Sequence, residues 1–157
     1  MLNLFKVAEI NERKYLNIII TKFNVYDYEI SPEGSFKRWD MIGYINGIQY
    51  IFEIKCRKDV KPYYEEQGMM MEIEKYESLK LIGMPILYIN ILDDNRGYIF
   101  KVDKIIAEYT DELTTGINYL RRYIDCPKAE CDQNKGRKKK AVLLLPTTSI
   151  HTRKFYI

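Results

Sequence analysis

The stretch from Arg38 to Arg57, RWDMIGYINGIQYIFEIKCR, constrains this chain more than any other, because Asn46-Gly47 stands between two alternating, apolar-rich runs. That dipeptide specifies a two-residue type I′ turn, whose two positive φ angles suit Asn and Gly and whose twist suits a hairpin. A two-residue turn also sets the register. If Ile45 pairs with Ile48, Asp40 lies opposite Glu53 and Arg38 opposite Lys55, with all four side chains on one side of the hairpin. Trp39, Met41, Gly43, Ile45, Ile48, Tyr50, Phe52, Ile54 and Cys56 fall on the other side, an apolar set that needs a core.

Carboxylates opposed across a sheet have Cβ atoms roughly 4.5 to 5.5 Å apart, and like charges there weaken the pairing. A shared proton would relieve the conflict. So would a hard divalent cation such as Mg2+, which takes one or two carboxylates and keeps several waters. Lys55 beside such an ion would orient a water or neutralise phosphate charge, so the hairpin implies metal-assisted phosphodiester hydrolysis. The competing account is a solvated face on which Asp40 and Glu53 make ordinary ion pairs with Arg38 and Lys55, worth little to stability.

Upstream, Phe5, Ala8, Tyr15, Leu16, Ile19 and Phe23 recur at helical intervals and predict an amphipathic helix from about Leu2 to Phe23. Glu12 falls near the centre of its apolar stripe. A carboxylate there needs a partner, a proton or a metal, which makes Glu12 a candidate third acid. On a narrower stripe it would simply pair with Arg13 or Lys14. Residues Asn24 to Ile30 read as a strand, followed by turn chemistry at Ser31-Pro32-Glu33-Gly34.

Beyond the hairpin, Tyr63 to Leu81 reads as one helix with Met69, Ile73, Tyr76 and Lys80 on one side, ended by Gly83-Met84-Pro85. Ile86 to Leu92 and Tyr98 to Val102 read as strands, and a further helix begins near Asp103. The order predicts an α/β fold, a mixed β-sheet flanked by helices, in which a helical crossover makes the third and fourth strands parallel. At 157 residues and 46% hydrophobic, the chain suits one domain.

The last third is less regular. Ile117 to Ile124 has helical character, and Asp125 to Gly136 is polar. Lys135, Arg137, Lys138, Lys139 and Lys140 then place five positive charges in six residues before the apolar run Ala141 to Leu145. Such a cluster binds phosphate backbones through counterion release, or is a solvated loop. The net charge of +3 permits a polyanionic partner without requiring one. No apolar run approaches membrane-spanning length, and three cysteines without a leader segment suggest a reducing cytoplasm. Cys126, Cys131 and His151 lack both zinc-knuckle spacing and a fourth ligand.

Together these pieces resemble the PD-(D/E)xK nuclease superfamily, with its restriction-endonuclease-like α-β-β-β-α-β core. Asp40 matches the lone Asp of the motif, with Trp39 where many members have Pro, and Glu53-Ile54-Lys55 matches (D/E)-x-K. Within it, the chain is most similar to small Holliday-junction resolvases. Ala8, Glu12 and Arg13 match their first helix, Glu66-Gln67 the opening of the helix after the lysine strand, and Gly83 the glycine before the next strand. Glu72 stands four residues before Tyr76, where recombination exonucleases carry Gln. The likeness covers roughly residues 5 to 105, giving a nuclease core at 1–109 and a C-terminal extension at 110–157 packed on the same domain.

The resemblance implies hydrolysis of DNA, branched DNA in particular, by a cytoplasmic homodimer using Mg2+ or Mn2+. Asp40, Glu53 and the Ile54 carbonyl would hold the metal, Glu12 would reach it directly or through water, and Lys55 would position the attacking water. Arg13, Ser31, Ser35, Arg38, Arg57 and Lys58, with the basic run Arg137, Lys138, Lys139 and Lys140, would face DNA. A restriction, repair or recombination nuclease of the same fold, or a non-catalytic binding module, are the alternatives.

Overall fold

Asn46 and Gly47 adopt φ angles of 49° and 80°, and the strands they join pair as Ile45 with Ile48 through Met41 with Phe52, the register the turn demands. Around this hairpin a computed structural model describes residues 4–129 and 132–157, with side chains described at 6–125 and 136–157. Cys131 and the side chain of Cys126 therefore lie outside the described residues, as does the side chain of Lys135.

The elements are α1 (Leu4–Lys22), β1 (Tyr26–Ile30), β2 (Met41–Ile45), β3 (Ile48–Arg57), α2 (Tyr63–Glu66), β4 (Met69–Glu72) and α3 (Ile73–Lys80). There follow β5 (Ile86–Leu92), β6 (Arg96–Lys101), α4 (Val102–Glu108), α5 (Gly116–Leu120), β7 (Arg121–Ala129), β8 (Asp132–Leu145) and β9 (Thr152–Tyr156). Six strands form a mixed sheet in the order β1-β2-β3-β5-β6-β9, in which only β3 and β5 run parallel. A second sheet is ordered β4-β8-β7.

All seven residues of β5 are buried, so the large sheet is covered on both faces at its centre. On one face Leu16 and Ile19 of α1 pack with Met41, Phe52, Ile54, Leu87, Ile89 and Phe155. On the other, Ile51, Tyr88 and Phe100 meet Tyr76 and Leu79 of α3, Val102 and Ile105 of α4, and Met69, Met71, Leu143 and Leu145 of the small sheet.

Three expectations are corrected. The helix predicted over Tyr63 to Leu81 is broken into α2, β4 and α3. Gly68, at φ 106°, ends the first turn, and a Cβ at that position would lie 2.6 Å from the Leu145 carbonyl oxygen. The apolar end of β8 needs a strand partner, and Met69 to Glu72 supplies it in alternating burial, so tertiary pairing overrides the helical propensity of three methionines.

Likewise the helix predicted over Ile117 to Ile124 stops at Leu120. From Arg121 the chain becomes β7, antiparallel to β8, and the basic run is part of that ribbon, not a loop. Strand alternation divides it, with Arg137 and Lys139 on one side and Lys138 and Lys140 on the other. Finally, Trp39 belongs to the core on the α3 side, not the α1 side. The β2–β3 ladder ends with the Asp40 N–H donating to Phe52 O at 3.1 Å, and the chain turns away before Trp39.

Residues 110–157 are tied to the rest of the chain by strand pairing, β8 to β4 and β9 to β6. No helix among the described residues is long and apolar enough to cross a membrane.

Candidate active site

Asp40 sits where β2 begins. Its backbone carbonyl accepts from Ser31 N–H at 2.9 Å, and its side-chain Oδ2 accepts from Ile54 N–H at 2.7 Å. Because the chain has turned off at Trp39, no strand carbonyl reaches Ile54, and the Asp40 carboxylate takes that acceptor's place. Burial raises the pKa of this carboxyl above its usual value, opposed by the Ile54 hydrogen bond and by the charges of Lys75, Lys55 and Arg13.

Glu53 points to the α3 side of the sheet and is 5% exposed. Its Oε1 lies 3.1 Å from Lys75 Nζ, whereas its Oε2 is buried with no hydrogen-bond partner. Burial and, after it, the negative charge of nearby Asp40 push the carboxyl up to about 8, against the pull of Lys75 and Lys55. One lysine contact does not keep Glu53 ionised at neutral pH, because losing water costs the carboxylate more than the exposed ammonium returns. The face shared by Asp40 and Glu53 is thus no solvated surface with ordinary ion pairs. It is a close carboxylate pair, Glu53 buried and Asp40 half-buried, with Lys55 and Lys75 beside it.

Lys75 was not anticipated from the sequence. It comes from α3, whose Tyr76 and Leu79 anchor the helix in the core, and it also donates to Arg38 O at 2.8 Å, tying α3 to the turn before Asp40. A lysine one position from a core residue on an amphipathic helix reads as solvated, so only the packing of α3 reveals its role.

The remaining candidates divide. Arg13 donates to Ser31 O and to Glu9 Oε1, which also accepts from Gly34 N–H at 3.0 Å, so α1 clamps the loop leading to Asp40. Ser31 is buried in that clamp, while Ser35, Arg38 and Lys58 are exposed. Glu12 is half-buried on α1, and its charge is felt by Cys56, whose thiol burial and Glu12 together push up to about 12. Glu12 forms no three-acid cluster with Asp40 and Glu53.

Arg57 does not face outward. It is 9% exposed and donates to Asn90 Oδ1 at 2.8 Å, Met70 O at 2.7 Å and the Tyr88 hydroxyl at 3.0 Å, joining β3, β5 and β4. A DNA-facing role for Arg57 is therefore corrected to a structural one. In the basic run, Lys140 Nζ contacts Glu72 Oε1 at 2.6 Å and Arg137 Nε contacts Asp125 Oδ2 at 3.3 Å, while Lys138 and Lys139 are exposed.

Among the described residues no three His, Cys, Asp or Glu side chains converge into a ready cation cage. Magnesium does not need one, since it binds through one or two carboxylates and retains water. The orphaned Glu53 Oε2 beside Asp40 fits that requirement, because a buried carboxylate oxygen without a donor is costly unless a cation or proton meets it. No family model, curated protein or solved structure matches this chain.

Proposed function

We propose that the chain is a metal-dependent DNA endonuclease of the PD-(D/E)xK type, selective for branched DNA and acting as a homodimer. The observation that carries this reading is buried Glu53 on β3 beside half-buried Asp40 at the start of β2, with Lys55 and Lys75 next to them. The order α1-β1-β2-β3-α3-β5, interrupted between β3 and α3 by α2 and β4, and with β3 and β5 parallel, supports a restriction-endonuclease-like core. A Mg2+ or Mn2+ ion held by Asp40, Glu53 and the Ile54 carbonyl would supply Lewis-acid stabilisation of phosphate charge.

The protein's own groups do the rest. Ile54 N–H holds the Asp40 carboxylate in place. Lys55 orients the attacking water and offsets the negative charge that develops on the phosphate. Lys75 keeps Glu53 in position and adds a second positive charge. The exposed Lys138 and Lys139 contact the DNA backbone.

The test incubates the protein with a labelled four-way junction and a matching linear duplex, in Mg2+, Mn2+ or chelator, beside Lys55→Ala. Symmetric, metal-dependent nicks confined to the junction, and at least 100-fold slower in the variant, are expected. Cleavage of both substrates would remove junction selectivity and leave a nuclease. One observation favours a non-catalytic binding module: Asp40 and Glu53 already have partners in Ile54 and Lys75. Binding without cleavage in any divalent metal would establish that reading.

A further inference from the structure

At the turn end of the β2–β3 hairpin, on the α1 side of the sheet, lies a pocket of about 690 Å³. Helix α1 runs out at its edge, with Phe23 just past the last turn, so β3, β5 and β6 form an open floor there rather than a covered one. The floor is apolar, made by Tyr50, Leu87 and Ile99. Its mouth carries Ile48 and Ile150, 49% and 84% exposed.

Around this apolar floor the charge is all of one sign. Lys101, Lys104, Arg153 and Lys154 line the pocket and no Asp or Glu does, although Lys154 pairs with Glu65, which is not in the lining. Lys101 is two residues along β6 from Ile99, which faces Arg153 on β9, so the two cations are diagonal neighbours on one face. Lys101 N–H donates to His151 O at 3.1 Å, which brings His151 to the same rim. The Arg153 guanidinium is stacked 5.3 Å from the Phe23 ring centre, which fixes it in the wall. Lys101, Lys104 and Arg153 are exposed, and among the described residues none of them forms an ion pair with a carboxylate. Like charges gathered without counter-ions weaken a fold, so their arrangement suits a bound anion better than it suits the empty pocket.

The geometry points to a nucleotide-phosphate site: the phosphate meets Lys101, Lys104 and Arg153, and the base packs on the apolar floor beside Phe23 and Tyr50. The volume falls in the range of small-ligand pockets, roughly 300 to 1,000 Å³, and favours a compact ligand over a long peptide. Tyr50 and Lys55 are five residues apart on β3, about 16 Å along the strand, with side chains on opposite faces. The pocket is therefore separate from the carboxylate pair, and it stands whether or not that pair cleaves DNA.

Two sources present this chemistry, a free mononucleotide and the phosphorylated end of a nucleic-acid strand. Calorimetric titrations at low ionic strength with AMP, adenosine and a 5′-phosphorylated dinucleotide, on the Lys55→Ala chain so that no ligand is consumed, test the site. Saturable binding of AMP or the dinucleotide, at least tenfold tighter than adenosine, is expected. Lys101→Gln with Arg153→Gln should weaken it at least tenfold, with no fall in melting temperature, and Lys138→Gln with Lys139→Gln should leave it intact. Tighter binding of AMP assigns the site to a free nucleotide, and tighter binding of the dinucleotide to a strand end. No saturable binding of either phosphate, or equal loss in the Lys138/Lys139 control, overturns the proposal.

Discussion

Replacing Glu53 by Gln isolates the energetic consequence of the buried carboxyl. In the folded chain its pKa rises from 4.5 to about 8. Between those values the folded state keeps a proton that the unfolded chain has released, so the associated stability is complete below pH 4.5 and is lost as pH rises through 8. One pKa unit corresponds to about 1.4 kcal/mol, so roughly 4 kcal/mol should disappear between about pH 5 and about pH 9. Asp40, raised in the same direction, adds to the fall in both proteins. Urea unfolding across that range should show wild type losing stability relative to Glu53→Gln, with the two curves nearest at the acid end. Adding Mg2+ should flatten the wild-type curve and leave the variant's alone, because a cation beside Oε2 favours the ionised carboxylate. Parallel curves for the two proteins would refute the assignment of Glu53 as a dry, neutral acid.

Removing the neighbouring charge with Lys75→Met should move that pH midpoint upward, read from the same titration, since Lys75 is the larger of the two cations opposing the rise. Gly68→Ala should lower stability by roughly 1–3 kcal/mol, seen as a shift in denaturant midpoint at constant slope, because Ala is strained at φ 106° and its Cβ meets Leu145 O. Leu145→Ala should cost roughly 2–5 kcal/mol by the same assay, as Leu145 is fully buried. Replacing Lys138 and Lys139 by Ala should reduce the logarithmic salt slope of DNA binding by about 2, at about 0.9 per phosphate contact, and an unchanged slope would take the ribbon out of the DNA interface.

Local chemistry made the central hairpin readable. Asn46-Gly47 determines its own backbone and thereby the pairing from Ile45–Ile48 to Met41–Phe52, which brings Asp40 near Glu53 even though the ladder stops before Asp40 and Trp39 departs from the expected face. Strand β4 offered no such signal. Its partner, Leu143 to Leu145, lies more than 70 residues away, and three methionines before a helical stretch resemble helix. In β7 and β8 the charged residues have low strand propensity, and pairing with a distant partner overrides it. The burial of Arg57 was half visible: alternation puts it on the face of Ile51 and Glu53, yet nothing in the sequence says that β4 covers that face. Lys75 was hidden for the complementary reason, that its own helix is ordinary and only the neighbour it reaches is not.

Strand β4 leaves the ribosome 73 residues before its partner is complete at Leu145. At 5 to 20 residues per second, roughly 4 to 15 s pass in which Met69 and Met71 have nothing to pair with, and the outer edge of β6 waits longer still for Thr152 to Tyr156. The nascent chain thus carries an open strand edge and an apolar surface through nearly half of its synthesis, and two such edges once β6 is made. A stop codon after residue 109 would make that interval permanent, and the shortened product should be found with chaperones or in aggregates.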